Sequence, residues 1–122
     1  MERLARLRAI CLALPEVVEK LSHGSPAWFT GNGKMFVSHT AFQHGSGRFG
    51  FWCAAPHGAQ EWLVGARPND YFRPPYVGQR GWLGVYADDD PDWVELSGIV
   101  EEAYRCVANG RQLQKLETDR PA

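Results

Sequence analysis

No run of the 122-residue sequence approaches the roughly 20 apolar residues needed to cross a bilayer. Its start, Met1-Glu2-Arg3-Leu4-Ala5-Arg6, lacks the continuous apolar segment of a secretory leader. A cytoplasmic location without a membrane partner is the expectation. Cysteine is scarce and unpaired: Cys11, Cys53 and Cys106 are odd in number and far apart, which argues against a disulfide framework. Cys11 and Cys106 lie in apolar helical patterns, so the thiols are read as small core-filling groups. Net charge is also lacking, at −1, so no overall field draws the chain to a polyanion. No internal repeat or linker divides the sequence. Its length suits a single domain over residues 1–113, with 114–122 as a polar, frayed tail.

What is present is apolar surface and turn chemistry. Hydrophobic residues make up 44% of the chain, enough for a packed core. Leu4, Leu7, Ile10 or Cys11, and Leu14 recur at helical spacing, which predicts a helix over 2–14 ended by Pro15. Residues 18–22 read as a short strand. Residues 27–30 and 34–38 flank Asn32-Gly33, a hairpin signal in which a type I′ turn would need positive φ at both central positions. Residues 40–48 read as a long connection and 49–54 as another strand. A short helix follows over 56–64, with Gln60, Leu63 and Val64 on one side and Gly65 and Pro68 as its stop. After a Pro- and Gly-rich loop over 68–81 comes a strand at 82–86. The last helix has Asp90 or Asp92 as cap, Pro91 in its first turn and a stripe of Leu96, Ile99, Val100, Ala103 and Val107. Asn109-Gly110 is expected to end it. The pattern predicts an α+β fold: an antiparallel sheet with helices on one face.

Sites of familiar chemistry are missing. Gly31-Asn32-Gly33-Lys34 is followed by strand residues, whereas a phosphate loop opens a helix. His23, His39, His44 and His57 lack the close spacing of zinc ligands. Asp88-Asp89-Asp90-Pro91-Asp92 lacks the spaced ligands and glycine of a calcium loop and is explained by helix capping. Cys53 and His57 could make a nucleophile and base, but no third group orients them. No metal, cofactor or catalytic residue is expected. Charge is nonetheless uneven along the chain. Residues 21–86 carry Lys34, Arg48, Arg67, Arg73 and Arg80 against Glu61 and Asp70, while 87–102 carry seven carboxylates and no base. The loop holding Tyr71, Phe72, Arg73, Tyr76, Arg80 and Trp82 combines ring faces with guanidinium groups suited to phosphate. Core packing is the simpler reading of Phe72, Tyr76 and Trp82.

The stretch from Tyr71-Phe72-Arg73-Pro74-Pro75-Tyr76 through Val77-Gly78-Gln79-Arg80-Gly81-Trp82-Leu83-Gly84-Val85 resembles the signature of MmcQ/YjbR-type proteins. His23-Gly24-Ser25-Pro26-Ala27-Trp28-Phe29, Gly33-Lys34-Met35-Phe36 and Ala103-Tyr104-Arg105-Cys106-Val107-Ala108 match as well, so the resemblance covers about residues 4–113. It implies a two-layer sandwich, a curved antiparallel sheet carrying helices, similar to the double-wing DNA-binding fold; no catalytic residues carry over. The expected function is therefore non-enzymatic binding of nucleic acid, double-stranded DNA first, through phosphate contacts from Lys34, Arg48, Arg67, Arg73 and Arg80. The alternative is a small-molecule or protein-interaction module with a pocket of Trp28, Trp52, Tyr76 and Trp82 beside the 71–82 loop. A contiguous positive face would favour the first, a concave aromatic pocket the second.

Overall fold

The turn residues and alternating runs build a sheet strand by strand. A computed structural model describes residues 2–39, 48–88 and 90–118. Helix α1 (Arg3–Leu12) leads into β1 (Val18–Ser22), β2 (Ser25–Phe29), β3 (Met35–His39) and β4 (Gly50–Cys53). Then come α2 (Ala59–Ala66), the two-residue β5 (Tyr71–Phe72), a 3-10 turn (Val77–Arg80), β6 (Leu83–Tyr86), α3 (Trp93–Val107) and α4 (Gly110–Thr118). The six strands form one open sheet in the order β1-β2-β3-β4-β6-β5, with every neighbouring pair antiparallel. The predicted α+β architecture is the one observed. The connection expected at 40–48 lies outside the described residues up to position 47.

The predicted hairpin forms with different turn chemistry. Gly33, not Asn32, takes positive φ (87°). Gly33 N–H donates to the Thr30 carbonyl at 2.8 Å and Thr30 N–H to the Lys34 carbonyl at 2.9 Å. This is a three-residue loop closed by a left-handed glycine, so only one residue must leave the common backbone regions. The register then shifts between Trp28 and Phe29.

Cross-strand partners share a face of a sheet. Trp28, Val37, Cys53 and Leu83 are partners in one row across β2, β3, β4 and β6, and all are buried. This row faces the helices: Leu7 and Cys11 of α1, Leu96, Val100, Ala103 and Tyr104 of α3, and Leu116 of α4 join the same core. The Phe36 ring meets Tyr104 edge-on, with centroids 5.5 Å apart. The adjacent row, Ala27, Ser38, Trp52, Gly84 and Phe72, points to the opposite side of the sheet.

Several element ends differ from expectation. Helix α1 stops at Leu12, and α2 runs through Gly65 to Ala66. Asp92 caps α3, accepting from Val94 N–H at 3.0 Å and Glu95 N–H at 3.3 Å, which puts Pro91 before the cap instead of inside the first turn. Asn109-Gly110 does follow the end of α3, but the frayed tail expected from 114 is corrected as far as Thr118, where α4 ends, and 119–122 lie outside the described residues. Asn109 Oδ1 accepts from Gln112 N–H and Gln112 Oε1 accepts from Asn109 N–H, both at 2.9 Å. This reciprocal pairing satisfies two donors that a helix start leaves open. Glu16 then ties α4 down through Arg111 (2.9 Å), Lys115 (3.2 Å) and the buried Gln112 (3.3 Å).

Candidate binding site

The face of the sheet away from the helices carries an open cleft of ~580 Å³. Its floor is made by Trp52 and Ser38, cross-strand partners on β4 and β3, together with Met35. Trp82, two residues before Gly84, falls on the same face by strand alternation. Ser22 and His23 close the cleft from the β1–β2 turn, and Tyr76 and Val77 from the 71–82 loop. Trp52 and Trp82 are themselves buried, which holds their rings in place; Tyr76 is 83% exposed. Core packing, the simpler expectation for Tyr76, is thereby corrected.

The backbone explains how Tyr76 is presented. Its φ of 65° and ψ of −66° place it outside the regions open to ordinary side chains. Val77 N–H donates to the Pro75 carbonyl at 2.7 Å, so Pro75–Val77 is a γ-turn of the rare, strained hand. Such conformations persist only where surrounding structure imposes them. Here Pro74 is buried on one side of Tyr76. On the other, Gln60 Nε2, reaching from α2, donates to the carbonyls of Gly78 (2.9 Å) and Trp82. The result is a large ring set at the rim of an aromatic cleft.

A second cleft, of ~490 Å³, lies across the 3-10 turn and is lined by Arg73, Arg80, Gln79, His57, Gln60 and Glu61, among others. The Arg73 stem rests on Gly78, where an added Cβ would come within 2.8 Å of Arg73 Cγ. The Arg80 guanidinium stands over the Trp82 ring at 5.4 Å. Neither arginine forms an ion pair among the described residues. The other expected phosphate contacts are placed differently. Arg48 grips Asp88 with two hydrogen bonds (2.8 and 3.0 Å) and covers the Tyr86 ring at 3.6 Å. Arg67 is held by Asp70 at 2.9 Å and by both carboxylate oxygens of Glu95. Lys34 sits at the end of the β2–β3 loop and lines neither cleft.

Trp28, expected in the pocket, belongs instead to the helix-side core. It is fully buried, and its indole N–H donates to Glu19 Oε1 at 2.9 Å, which also accepts from Arg8 Nε at 2.8 Å. Cys11 and Cys53 are buried and burial pushes both thiols well up, so neither is a ready nucleophile. Cys106, expected to be buried, is exposed on α3. His57 opens onto the second cleft, while His39 is buried against Phe49 with centroids 5.1 Å apart. His44 lies outside the described residues. Among the described residues no three His, Cys, Asp or Glu side chains gather as metal ligands, and no helix is long and apolar enough to cross a membrane.

Sequence reasoning missed Gln60 as the latch of the 71–82 loop, and Met35, Ser38, Ser22 and His23 as cleft walls. Alternation along β3 separates Ser38 from Val37, but only the cross-strand register shows that Ser38 and Trp52 meet.

No curated protein sequence matches the chain. The crystal structure of the Deinococcus radiodurans protein DR2400, with a DUF419 domain, is similar with a TM-score of 0.75. The match covers 96% of this chain and 89% of that one at 16% identity, a likeness of fold. The family model described as YjbR matches residues 12–106, and with that stretch running from α1 into α3 the chain belongs to the YjbR family.

Proposed function

We propose that this chain is a non-enzymatic binding module whose site is the aromatic cleft on the helix-free face, taking a small molecule with a planar apolar ring. One observation carries the reading: Trp52 of β4 and both Tyr76 and Trp82 of the 71–82 loop converge on one cleft, with Tyr76 held there by a strained turn. Its volume of ~580 Å³ lies within the range of small-molecule sites, about 300–1,000 Å³. A mainly apolar lining with a few polar groups, here Ser22, His23 and Ser38, suits orientation of such a ring. Ligand-detected NMR with indole, benzimidazole and adenine as probes tests the idea. Binding that weakens about tenfold in Tyr76→Ala, about 1.4 kcal/mol, supports it. Absence of binding by all three probes refutes it.

Binding of duplex DNA is the second reading, favoured by Arg73 and Arg80, which line one cleft and form no ion pair among the described residues. The ion pairs of Arg48 and Arg67 weaken it, because a phosphate would have to displace Asp88, Asp70 and Glu95. Fluorescence anisotropy with a labelled duplex across a salt series decides. A log K slope of about −0.9 per phosphate contact, reduced by about two units in the Arg73→Ala/Arg80→Ala variant, would establish the DNA reading.

A further inference from the structure

The aromatic cleft and the arginine cleft are neighbours with one shared wall. Tyr76, Val77 and Trp82 line the first, while Gly78, Gln79, Arg80 and Gly81 line the second. The chain between Val77 and Trp82 is therefore a partition with a ring-binding surface on one side and cations on the other. Arg80 bridges the two, since it lines the second cleft while its guanidinium stands 5.4 Å from the ring of Trp82.

The two arginines of the second cleft, Arg73 and Arg80, differ from those committed to structure. Arg8, Arg48, Arg67, Arg105 and Arg111 each meet a carboxylate. Arg73 and Arg80 are positioned instead by packing, one stem across Gly78 and the other group over Trp82. Among the described residues no carboxylate takes up their donors, which face the cleft. A guanidinium is a planar fork that pairs bidentately with phosphate or carboxylate. Among the described residues one carboxylate, Glu61, shares the cleft with them, leaving a positive balance. Gly58 and Gln60, from the start of α2, complete the wall and bring the positive end of the helix dipole to the same space.

We infer that the two clefts form one bipartite site for a planar ring carrying a phosphate group, the ring in the aromatic cleft and the phosphate on Arg73 and Arg80. This rests on the ring-binding reading above and adds to it the class of ligand. The chemistry that joins a planar ring to a phosphate through one short linker is that of a nucleotide unit, either free or within a single strand.

The test is isothermal titration calorimetry with adenosine, guanosine, cytidine and uridine, each beside its 5′-monophosphate, and with a ten-residue oligothymidylate. At least one monophosphate is expected to bind ten or more times tighter than its nucleoside. The Arg73→Ala/Arg80→Ala variant should erase that difference while keeping its circular dichroism and melting temperature, since both side chains are exposed. Arg73→Lys/Arg80→Lys should restore part of it. Oligothymidylate binding more than tenfold tighter than the monomer points to a strand as the source; equal or weaker binding points to the free nucleotide; both keep the bipartite site. Binding of every nucleoside as tightly as its monophosphate overturns the inference and leaves the ring-binding reading intact. Failure of every nucleoside and nucleotide to bind, with indole or benzimidazole still bound, also overturns the inference alone. Failure of every ring probe overturns both.

Discussion

Replacing Gly84 by alanine should detach the rim strand of the binding face, and the structure sets the size of the effect. Gly84 lies opposite Phe72 in the β5–β6 pair, and the Phe72 ring covers it. A Cβ at position 84 would sit 2.4–2.5 Å from three carbons of that ring. Comfortable carbon contacts are about 3.5–4.0 Å, so the ring must move by roughly 1 Å or more. Phe72 also packs on Tyr86 with centroids 4.5 Å apart, so the move sacrifices that contact too. Overpacking of this kind costs about 1–3 kcal/mol. At about 4 °C per kcal/mol for a chain of this size, melting should fall by roughly 4–12 °C. The decisive assay is a double-mutant cycle by urea denaturation. In a Phe72→Ala background the clash is gone, and Gly84→Ala should be neutral or stabilising by up to about 1 kcal/mol, because glycine within a strand is itself unfavourable. A coupling of at least about 1 kcal/mol follows. Equal costs in both backgrounds would refute the reasoning.

Glu19→Leu leaves the buried indole N–H of Trp28 without its acceptor and should cost about 1–3 kcal/mol by urea denaturation, whereas Glu19→Gln keeps an acceptor and should recover much of it. Should Glu19→Leu cost no more than Arg8→Ala, the bond to Trp28 contributes nothing. Acid should weaken the fold in two stages. Burial, then the charge of Arg8, lowers the pKa of His39, so the imidazole is neutral in the fold and stability declines as pH drops below about 6.5, where the unfolded chain takes up the proton. Glu16 and Asp88 are held below their ordinary values, the first by Gln112 and Lys115 and the second by Arg48. Their contribution is complete above about pH 4–5 and lost as pH falls through the lower folded values. His39→Leu should remove the upper stage and Glu16→Gln with Asp88→Asn should flatten the lower one, both read from melting temperatures between about pH 3 and 8. With Ellman's reagent, Cys106 alone should react in the native protein and all three thiols in denaturant; rapid native reaction of Cys11 or Cys53 would contradict their burial.

Local chemistry made some elements legible from sequence. Asp92 caps α3 because its carboxylate reaches the free amides two and three residues on, a relation contained in four consecutive residues. The β2–β3 hairpin was visible because glycine and asparagine separate two β-favouring runs. Helix α4 was not, because its apolar content is thin and its anchor, Glu16, is nearly a hundred residues away in the chain. The signal that was present, Asn109 and Gln112 at capping-box spacing, was hidden behind an Asn-Gly pair that also reads as a stop. The site was half legible for the same reason. Composition marks Trp28 and Trp52 alike, yet Trp28 is in register with Cys53 through Val37, which sends Trp52 to the other side of the sheet. Asp88 occupies Arg48 from 40 residues away and Glu95 joins the nearby Asp70 on Arg67 from 28 residues away, so in the sequence those arginines look much like Arg73 and Arg80.

The strand order also governs when the site comes into being. Strands β1 to β3 follow one another as neighbours, and β4 adds to β3, so that part of the sheet assembles from contacts close in sequence. The junction of β4 with β6 is different, because all of α2, β5 and the 3-10 turn lie between the two strands. Closing that longer loop costs chain entropy before any pairing offsets it. Assembly of the β1–β4 meander ahead of the β4–β6 junction is expected, with high φ-values at Val37 and low ones at Val85; the reverse order would refute it. Trp52 stands on one side of this late junction and Trp82 on the other, so neither ring can serve the cleft until the last strands have met. A species holding only the β1–β4 meander would carry the Trp52 side of the cleft and lack Tyr76 and Trp82.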